Sequence, residues 1–254
     1  MNLSPPLCLF LSLIAGPASA QALKPLAPLL NEQGEASSAW RFVGFPKKTA
    51  DLPPSLFEAG QMDQQAGLKV STDSSYGTWV QAWRGPAPAH LQWRWRLDEP
   101  LSGGKHSADL LSKSGDDAAL KVCVMFDHPL DRVPFLERTV LRFARSVSGE
   151  KLPAATVCYI WDSAGPAPLE GVNPYTRRVR FISLQGRNSP LTRWVSESRD
   201  VAQDFAHLFA DELPMGEKTP RANLPPVTTV LIGADSDNTA SHSEGWVAGL
   251  RWSP

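Results

Sequence analysis

The chain has 254 residues, with 25 Lys and Arg against 26 Asp and Glu and a formal net charge of −1. This length is enough for one large domain with a substantial core, or for two small ones. Nucleic-acid binding needs a concentrated basic surface, so the near-neutral balance argues against that class of protein.

The first 20 residues have the pattern of a secretory signal peptide. They contain no charged side chain, run apolar from Leu7 to Ala15 and end on Ala18-Ser19-Ala20, which matches an A-x-A cleavage site. We therefore expect a mature protein that begins at Gln21 and is periplasmic or secreted. The apolar run is too short to span a bilayer and no other stretch comes close, so we expect no transmembrane segment in the mature chain.

Residues 21–39 are polar and contain prolines, and we expect them to form a loosely held N-terminal arm before a single domain over 40–254. In that domain, short runs rich in β-branched and aromatic residues are separated by prolines, which predicts about ten strands. They are 40–45, 67–72, 77–83, 91–97, 118–126, 156–162, 178–184, 192–197, 227–233 and 245–252. The strand at 91–97 is the clearest, because apolar and polar residues alternate strictly along it.

Two segments instead carry apolar residues at helical spacing, and they predict two helices packed at the edge of the sheets. The first is 131–147, with Pro134 in its first turn, and the second is 199–213, with Ser198 as its N-cap. The stripe of the first helix consists of Leu136, Val140, Phe143, Ala144 and Val147. Many strands with two helices predict an all-β-dominated, jelly-roll-like antiparallel β-sandwich with about two accessory helices.

Two cysteines, Cys123 and Cys158, remain once the leader is removed, and each lies in the middle of a predicted strand. Neighbouring strands would bring them together, and an exported protein meets an oxidising environment. The alternatives are a disulfide and two buried thiols that pack as small hydrophobic side chains.

Acidic clusters supply the candidate chemistry. Asp235, Asp237 and Asn238 lie in a turn after a buried strand, and Asp116 and Asp117 precede another strand. Carboxylate and amide oxygens suit Ca²⁺, so Asp235, Asp237, Asn238 and Asp116 form a candidate calcium site; no cofactor is otherwise indicated. The alternatives are a turn whose side chains bond their own backbone, and carboxylates at Asp116, Asp117, Asp235 and Asp237 used in binding or catalysis.

Nine tryptophans are the remaining unusual feature of the composition. Exposed aromatic rings on a sandwich face can stack on sugar rings, although a core position is the alternative for each ring. The residues that we propose for ligand binding are Trp79, Trp83, Trp194, Trp246 and Arg199. The sequence contains no G-x-S-x-G, G-x-G-x-x-G or P-loop motif, so it does not support a serine nucleophile or a nucleotide site.

The order of several motifs resembles the bacterial family of unknown function DUF3047. The motifs are Trp93-Arg94-Trp95-Arg96, Gly115-Asp116-Asp117, Val122 to Phe126, Cys158 to Trp161, Asn173-Pro174-Tyr175, Trp194, Glu197 to Val201 with Asp204-Phe205, and Asp235 to Thr239. The chain departs from the family pattern at Lys121, where arginine is usual, at Asp200, where asparagine is usual, and at Ala240, where glycine is usual. The resemblance implies an exported protein with a jelly-roll similar to carbohydrate-binding modules, and it implies no activity.

These observations favour a non-catalytic binder of a glycan or another polar envelope ligand. Two alternatives remain open. One is a glycan-acting hydrolase or lyase that uses paired aspartates, and the other is an envelope protein-interaction module.

Overall fold

The computed structural model describes residues 24–45, 51–148 and 152–253, so the predicted signal peptide lies outside the described residues. The described chain forms twelve strands and two α-helices. The strands are β1 (Arg41–Val43), β2 (Leu56–Met62), β3 (Gln65–Asp73), β4 (Tyr76–Gly85), β5 (His90–Ser102), β6 (Leu120–Phe126), β7 (Ala155–Trp161), β8 (Leu169–Val172), β9 (Val179–Gln185), β10 (Val195–Arg199), β11 (Val227–Asp235) and β12 (His242–Ser253). The helices are α1 (Phe135–Ser148) and α2 (Val201–Leu208).

The strands form two sheets. One has the order β1-β4-β11-β6-β7-β9-β8 and the other has the order β10-β5-β12-β3-β2. Neighbouring strands are antiparallel except β7 and β9, which are parallel. After β7 the chain forms the edge strand β8 and then returns antiparallel to it as β9, which lies between the two. The prediction of an all-β-dominated sandwich with about two helices is therefore confirmed, and the parallel β7–β9 pair is an exception to the expected antiparallel pairing.

The sequence did not indicate β2 and β8. Each of them is the last strand of its sheet, with one neighbour only. An edge strand buries less of its surface than a central strand, and β2 has no fully buried residue along its length. A strand of this kind carries no strong alternation of apolar and polar residues, so the sequence pattern did not identify it.

The main core lies between the two sheets and is rich in aromatic rings. The alternating strand β5 points Trp93 and Trp95 inward, where both are almost completely buried. Trp93 packs on Tyr159 with ring centroids 5.3 Å apart, and Trp95 packs on Trp161 at 5.5 Å. The period of two in the sequence thus identified the strand that supplies one wall of the core.

The expectation of a loosely held N-terminal arm was wrong for the described residues 24–39. Leu26 and Leu29 are buried and belong to the main core. Indole nitrogens hold the backbone of the same segment, since Trp83 Nε1 donates to the Lys24 carbonyl at 2.9 Å and Trp40 Nε1 to the Ala27 carbonyl at 3.1 Å. Two buried leucines and two indole hydrogen bonds fix this segment, although its composition is polar.

The second helix is shorter than predicted, and its cap differs. The side chain of Asp200, and not that of Ser198, caps α2 by accepting a hydrogen bond from the Gln203 amide at 3.1 Å. Ser198 is instead part of β10, paired with Gln92. Three 3₁₀ turns at Ala210–Glu212, Gly216–Lys218 and Arg221–Asn223 follow α2.

The apolar stripe of α1 faces outward, contrary to the expected packing. Leu136, Val140 and Phe143 are 76%, 68% and 70% exposed, whereas Leu141 is buried. The side that packs on the protein is partly polar, because Glu137 accepts a hydrogen bond from Arg178, the residue directly before β9. No helix in the described ranges combines the length and apolar character needed to cross a membrane.

Candidate functional site

The two acidic segments meet on the outer face of the seven-stranded sheet. The loop over 103–119 covers this face, where Leu110 and Ala118 pack in a cluster with Phe181 and Leu231. The end of the loop is joined to the end of β11, since the Asp235 amide donates to the Ala118 carbonyl at 3.1 Å and the Ala118 amide donates to Asp235 Oδ1 at 2.9 Å. The fold therefore brings together all four aspartates that the sequence singled out.

Asp117 is the structural centre of this junction and is 2% exposed. Its carboxylate accepts hydrogen bonds from the amide and hydroxyl of Thr239 at 2.7 and 2.6 Å. It also accepts from the amide and the side-chain nitrogen of Asn238, both at 3.2 Å. The turn after β11 is thus closed by a carboxylate from another loop, and not by bonds within the turn alone.

Asp235 lies beside Asp117 and forms an ion pair with Lys121 on β6. Burial raises the pKa of Asp235, and the ammonium group of Lys121 opposes that rise. Burial acts to lower the pKa of Lys121, but the carboxylate of Asp235 outweighs it, so the pKa of Lys121 is raised. The ammonium also lies 5.5 Å from the centre of the Tyr76 ring, so Lys121 is held between a carboxylate and an aromatic face.

Asp116 and Asp237 are the half-buried members of the cluster. Burial, followed by the charge of Asp235, raises the pKa of each to about 6. Asp116 accepts a hydrogen bond from the side-chain nitrogen of Asn173, whereas Asp237 Oδ1 is shielded from solvent and has no hydrogen-bond partner in the described residues. A carboxylate in this state is suited to bind a proton or a cation.

One carboxylate oxygen from each of Asp117, Asp235 and Asp237 lies within 4.8 Å of the other two. Three hard oxygens at this spacing suit Ca²⁺ or Mg²⁺. The set differs from the predicted one, because Asp117 joins it and Asp116 is not part of it. Asn238 is committed elsewhere, since its side-chain nitrogen faces Asp117 and its oxygen lies 2.9 Å from the Tyr175 hydroxyl. A small cavity of about 50 Å³ is lined by Asp116, Asp235 and their neighbours.

Sequence reasoning missed Tyr175 as a site residue. This side chain is 57% exposed, and its hydroxyl lies 2.8 Å from the Lys113 carbonyl as well as 2.9 Å from Asn238 Oδ1. The ring therefore stands at the acidic cluster, with the Lys113 ammonium 5.4 Å from its centre. The available signal was the Asn173-Pro174-Tyr175 turn, in which Asn173 reaches Asp116 and Tyr175 reaches Asn238.

The predicted ligand-binding tryptophans lie in other places. Trp83 and Trp246 are 2% and 6% exposed, and these values contradict the expectation that their rings face a ligand. Trp246 Nε1 donates to Asp98 at 3.1 Å, so the ring also has a structural hydrogen bond. Both rings are buried because an indole in a sandwich contributes more apolar contact than any other side chain.

Trp79, Trp194 and Arg199 have structural contacts as well. Trp79 is half-buried and stacks on Phe57 with ring centroids 5.7 Å apart. Trp194 is half-buried and donates to the Met62 carbonyl at 3.2 Å. Arg199 makes a two-pronged ion pair with Asp204, at 3.0 and 2.6 Å, and so holds β10 to α2. None of their described hydrogen bonds reaches the acidic cluster.

Cys123 and Cys158 are opposite each other on β6 and β7 and are joined by a disulfide in the structure. Both are buried in the outer cluster beneath the loop over 103–119. The bond therefore lies in the sheet directly below the acidic site.

Comparison with known proteins gives a family. A family model described as a protein of unknown function, DUF3047, matches residues 38–251. The chain belongs to DUF3047. No curated protein matches it. A solved structure from work on carbohydrate-binding modules of the beta-sandwich superfamily aligns with 89% of this chain and 62% of that chain, at 11% identity and a TM-score of 0.35. The alignment thus spans less than two thirds of that structure.

Within this DUF3047 domain, two of the three positions at which the resemblance implied a departure from the family pattern lie in the site. Lys121 is the cation paired with Asp235, and Ala240 follows the turn that Asp117 closes. The third, Asp200, is the N-cap of α2 and also pairs with Arg221, so it serves the fold at a different place.

Proposed function

We propose that this DUF3047 protein is exported and is a non-catalytic binder of a glycan, at the surface formed by Asp116, Asp237, Asn173 and Tyr175. The observation that carries the proposal is the exposed Tyr175 ring, held by its hydroxyl at the acidic cluster. A sugar has an apolar face and a rim of hydroxyl groups, so an aromatic ring beside carboxylates matches both of its surfaces. Tyr175 takes the role that the sequence had suggested for the tryptophans.

A divalent cation fits the same surface, and we include Ca²⁺ in the proposal. Three carboxylates, those of Asp117, Asp235 and Asp237, converge at its inner side, and Lys121 is paired with one of them, Asp235. Calcium takes about six to eight oxygen ligands, so the three aspartates supply only part of the shell. Water or hydroxyl groups of the glycan would complete it, which couples cation binding to ligand binding.

A glycan-array screen in calcium and in chelator tests the proposed ligand class. The expected result is binding of the wild type to a restricted set of glycans, with a loss of about 5- to 30-fold in affinity for Tyr175→Ala, because one stacked ring is worth about 1–2 kcal/mol. Tyr175→Phe should keep most of the affinity. Phe42→Ala, which removes a ring 39% exposed at the far edge of the same sheet, is the control and should bind as the wild type does. No binding in either condition, or full binding by Tyr175→Ala, would overturn the proposal.

Thermal unfolding tests the cation independently of any glycan. Calcium should raise the free energy of unfolding by the amount that mass action requires, which is about 2.7 kcal/mol at a calcium concentration one hundred times the dissociation constant. The melting temperature should rise accordingly. Asp237→Asn should abolish the shift and Asp116→Asn should weaken it. Asp131→Asn, which changes an exposed carboxylate in the segment before α1, should leave the shift intact. Identical melting temperatures in excess calcium and in chelator would exclude the cation.

One observation favours a second candidate, a glycoside hydrolase. The pKa of Asp116 and that of Asp237 are both raised to about 6, and a carboxyl that holds its proton near neutral pH can act as a general acid. Incubation of the protein with each glycan that it binds distinguishes the two functions. A binding protein returns the glycan intact. Release of reducing sugar that disappears in both Asp116→Asn and Asp237→Asn would establish hydrolysis and refute a non-catalytic role.

A further inference from the structure

Helix α1 presents a ridge of large apolar side chains to solvent. The ridge consists of Phe135, Leu136, Val140 and Phe143, whose exposures are 70%, 76%, 68% and 70%. Single exposed apolar residues are common on protein surfaces, but four on one short helix form a contiguous patch of the kind that marks an interaction surface.

The same helix is basic. It carries Arg138, Arg142 and Arg145 against one carboxylate, Glu137, and the whole chain has a net charge of −1. Glu137 is already paired with Arg177 and Arg178, so it does not offset the arginines of the helix. Arg142 is exposed and adjacent in sequence to Phe143 of the ridge. A high positive charge next to an apolar ridge is typical of helices that lie in a membrane interface.

The apolar surface extends beyond the helix. A groove of about 520 Å³ separates α1 from the chain over 173–179. Leu136, Val140 and Ala144 line its helical side, and Pro174 and Tyr175 line the other. The ridge therefore stands at the border of a wider apolar area.

We propose that α1 binds the surface of a lipid bilayer that contains anionic lipids, with the α1 ridge inserted among the headgroups and acyl chains. Charge complementarity selects this partner: the exposed Arg142 meets lipid phosphates while the ridge is removed from water. Arg138 and Arg145 are half-buried and donate to the Leu130 and Leu152 carbonyls, so they add positive charge to the helix without facing the lipid directly. A second copy of the chain fits less well, because it would bring the arginines of two helices together. The helix is also only about 21 Å long, which is short for an interface of about 800 Å² per partner. The inference does not depend on the proposed glycan site.

Vesicle flotation tests the membrane proposal. Every variant is expressed from the full chain, and intact mass establishes that all have the same N terminus, so that any retained leader contributes equally. The wild type should float with vesicles of phosphatidylglycerol and phosphatidylcholine and much less with phosphatidylcholine alone. The ridge variant Leu136→Gln with Phe143→Gln should lose at least tenfold in partition coefficient, because two large apolar side chains no longer leave water. These positions are exposed, so folding should be unaffected, which the melting temperature checks.

Matched controls separate the ridge from exposed apolar residues in general. Leu56→Gln with Leu191→Gln changes two side chains that are 56% and 41% exposed on other parts of the surface, and it should float as the wild type does. The partition coefficient of Arg142→Gln should fall roughly fivefold, whereas that of Arg193→Gln, at another exposed arginine, should change little. Binding of the wild type should weaken as NaCl rises from about 0.05 M to about 0.5 M.

Three results would overturn the proposal. They are a wild type that stays unbound with anionic vesicles, a ridge variant that floats as well as the wild type, and equal flotation with neutral and anionic vesicles. Sedimentation equilibrium tests whether the ridge is instead a dimer interface. A dimer that forms in the wild type and is lost in the ridge variant would assign the ridge to a second copy of the chain and refute the membrane proposal.

Discussion

At the scale of single residues, Ala240 has the backbone conformation of a glycine. Its φ of 53° lies in the left-handed region, where a Cβ atom collides with the backbone. The position follows Thr239, which Asp117 holds in place, so the turn has little freedom to relax. Glycine, which has no Cβ atom, would adopt this conformation without that collision.

We expect Ala240→Gly to raise the free energy of unfolding by about 0.5–1 kcal/mol, because relief of the strained conformation outweighs the added entropy of the unfolded chain. Chemical denaturation measures the change. Ala39→Gly is the control: Ala39 is exposed and does not have a positive φ, so glycine should bring no gain there. Equal effects at both positions would contradict the backbone explanation.

The half-buried aspartates predict a pH dependence. The pKa of Asp237 in the folded protein is about 6, raised by burial and by the neighbouring carboxylates. The folded state therefore binds more protons than the unfolded state between the ordinary pKa and 6, and stability falls as the pH rises through that window. Asp237→Asn removes this loss. In chelator it should stabilise the protein by about 1 kcal/mol at about pH 8, a value reduced for solvent screening, and by nothing at about pH 4.

Denaturation of both proteins at a series of pH values in chelator measures this difference. In excess calcium the wild type should be the more stable of the two proteins, because it gains a bound cation that the variant lacks. Parallel stability profiles for wild type and variant would contradict the prediction.

At the scale of secondary-structure elements, the disulfide joins two central strands of the larger sheet. The two cysteines are 35 residues apart in the sequence, and the segment between them contains α1. The two cysteines are direct partners in the β6–β7 ladder.

We expect Cys123→Ala with Cys158→Ala to lose about 3 kcal/mol of stability, mostly because the unfolded chain gains freedom. Differential alkylation followed by peptide mapping should find neither cysteine labelled in unreduced, denatured protein. A reducing agent should destabilise the wild type but not the double variant. Labelling of both cysteines before reduction would refute the disulfide.

The first helix illustrates what spacing along the chain can and cannot determine. The recurrence of Leu136, Val140 and Phe143 correctly predicts a helix, because the spacing depends only on helical geometry. The same spacing does not say which partner the apolar face has. The ion pairs of Glu137 with Arg177 and Arg178 orient the helix, and they leave the apolar face outside.

At the scale of the whole molecule, a buried ionic network holds several elements together. Glu212, in the 3₁₀ turn after α2, accepts hydrogen bonds from Arg178 and Arg180, each with an N–O distance of 2.8 Å. Arg178 also binds Glu137 of α1 at 2.8 Å. His128 Nε2 lies 3.1 Å from Glu212 but not in hydrogen-bonding geometry. Glu212 and its two arginines therefore connect the turn after α2 with β9 and, through Arg178, with α1.

We expect Glu212→Gln to destabilise the protein by about 3–5 kcal/mol, because it leaves buried arginines without a full counter-charge. Burial alone would raise the pKa of Glu212, but the hydrogen bonds from Arg178 and the neighbouring charges lower it to about 2. Because the folded pKa is depressed, the contribution is present above the ordinary pKa of about 4.3 and is lost as the pH falls towards 2.

Urea denaturation at neutral pH and at about pH 2.5 measures the loss of stability and its pH dependence. The difference in free energy of unfolding between wild type and variant should be smaller in acid. Glu217→Gln, at a side chain that is 60% exposed, is the control and should stay within about 0.5 kcal/mol. A loss below about 1 kcal/mol for Glu212→Gln would contradict a network of this kind.

The sequence by itself determined the features that repeat along one element or stay within one turn. Alternation in β5, helical spacing in α1 and α2 and the many short strands predicted the sandwich, because each pattern reflects the local environment of a single element. Only the tertiary structure decided which loops meet. Asp117 binds Thr239 across a separation of 122 residues, and Tyr175 reaches Asn238 across 63. Such contacts depend on how the sheets pack and not on spacing along the chain. For this reason the sequence identified the acidic segments, while the packing selected Asp117, added Tyr175 and buried Trp83 and Trp246.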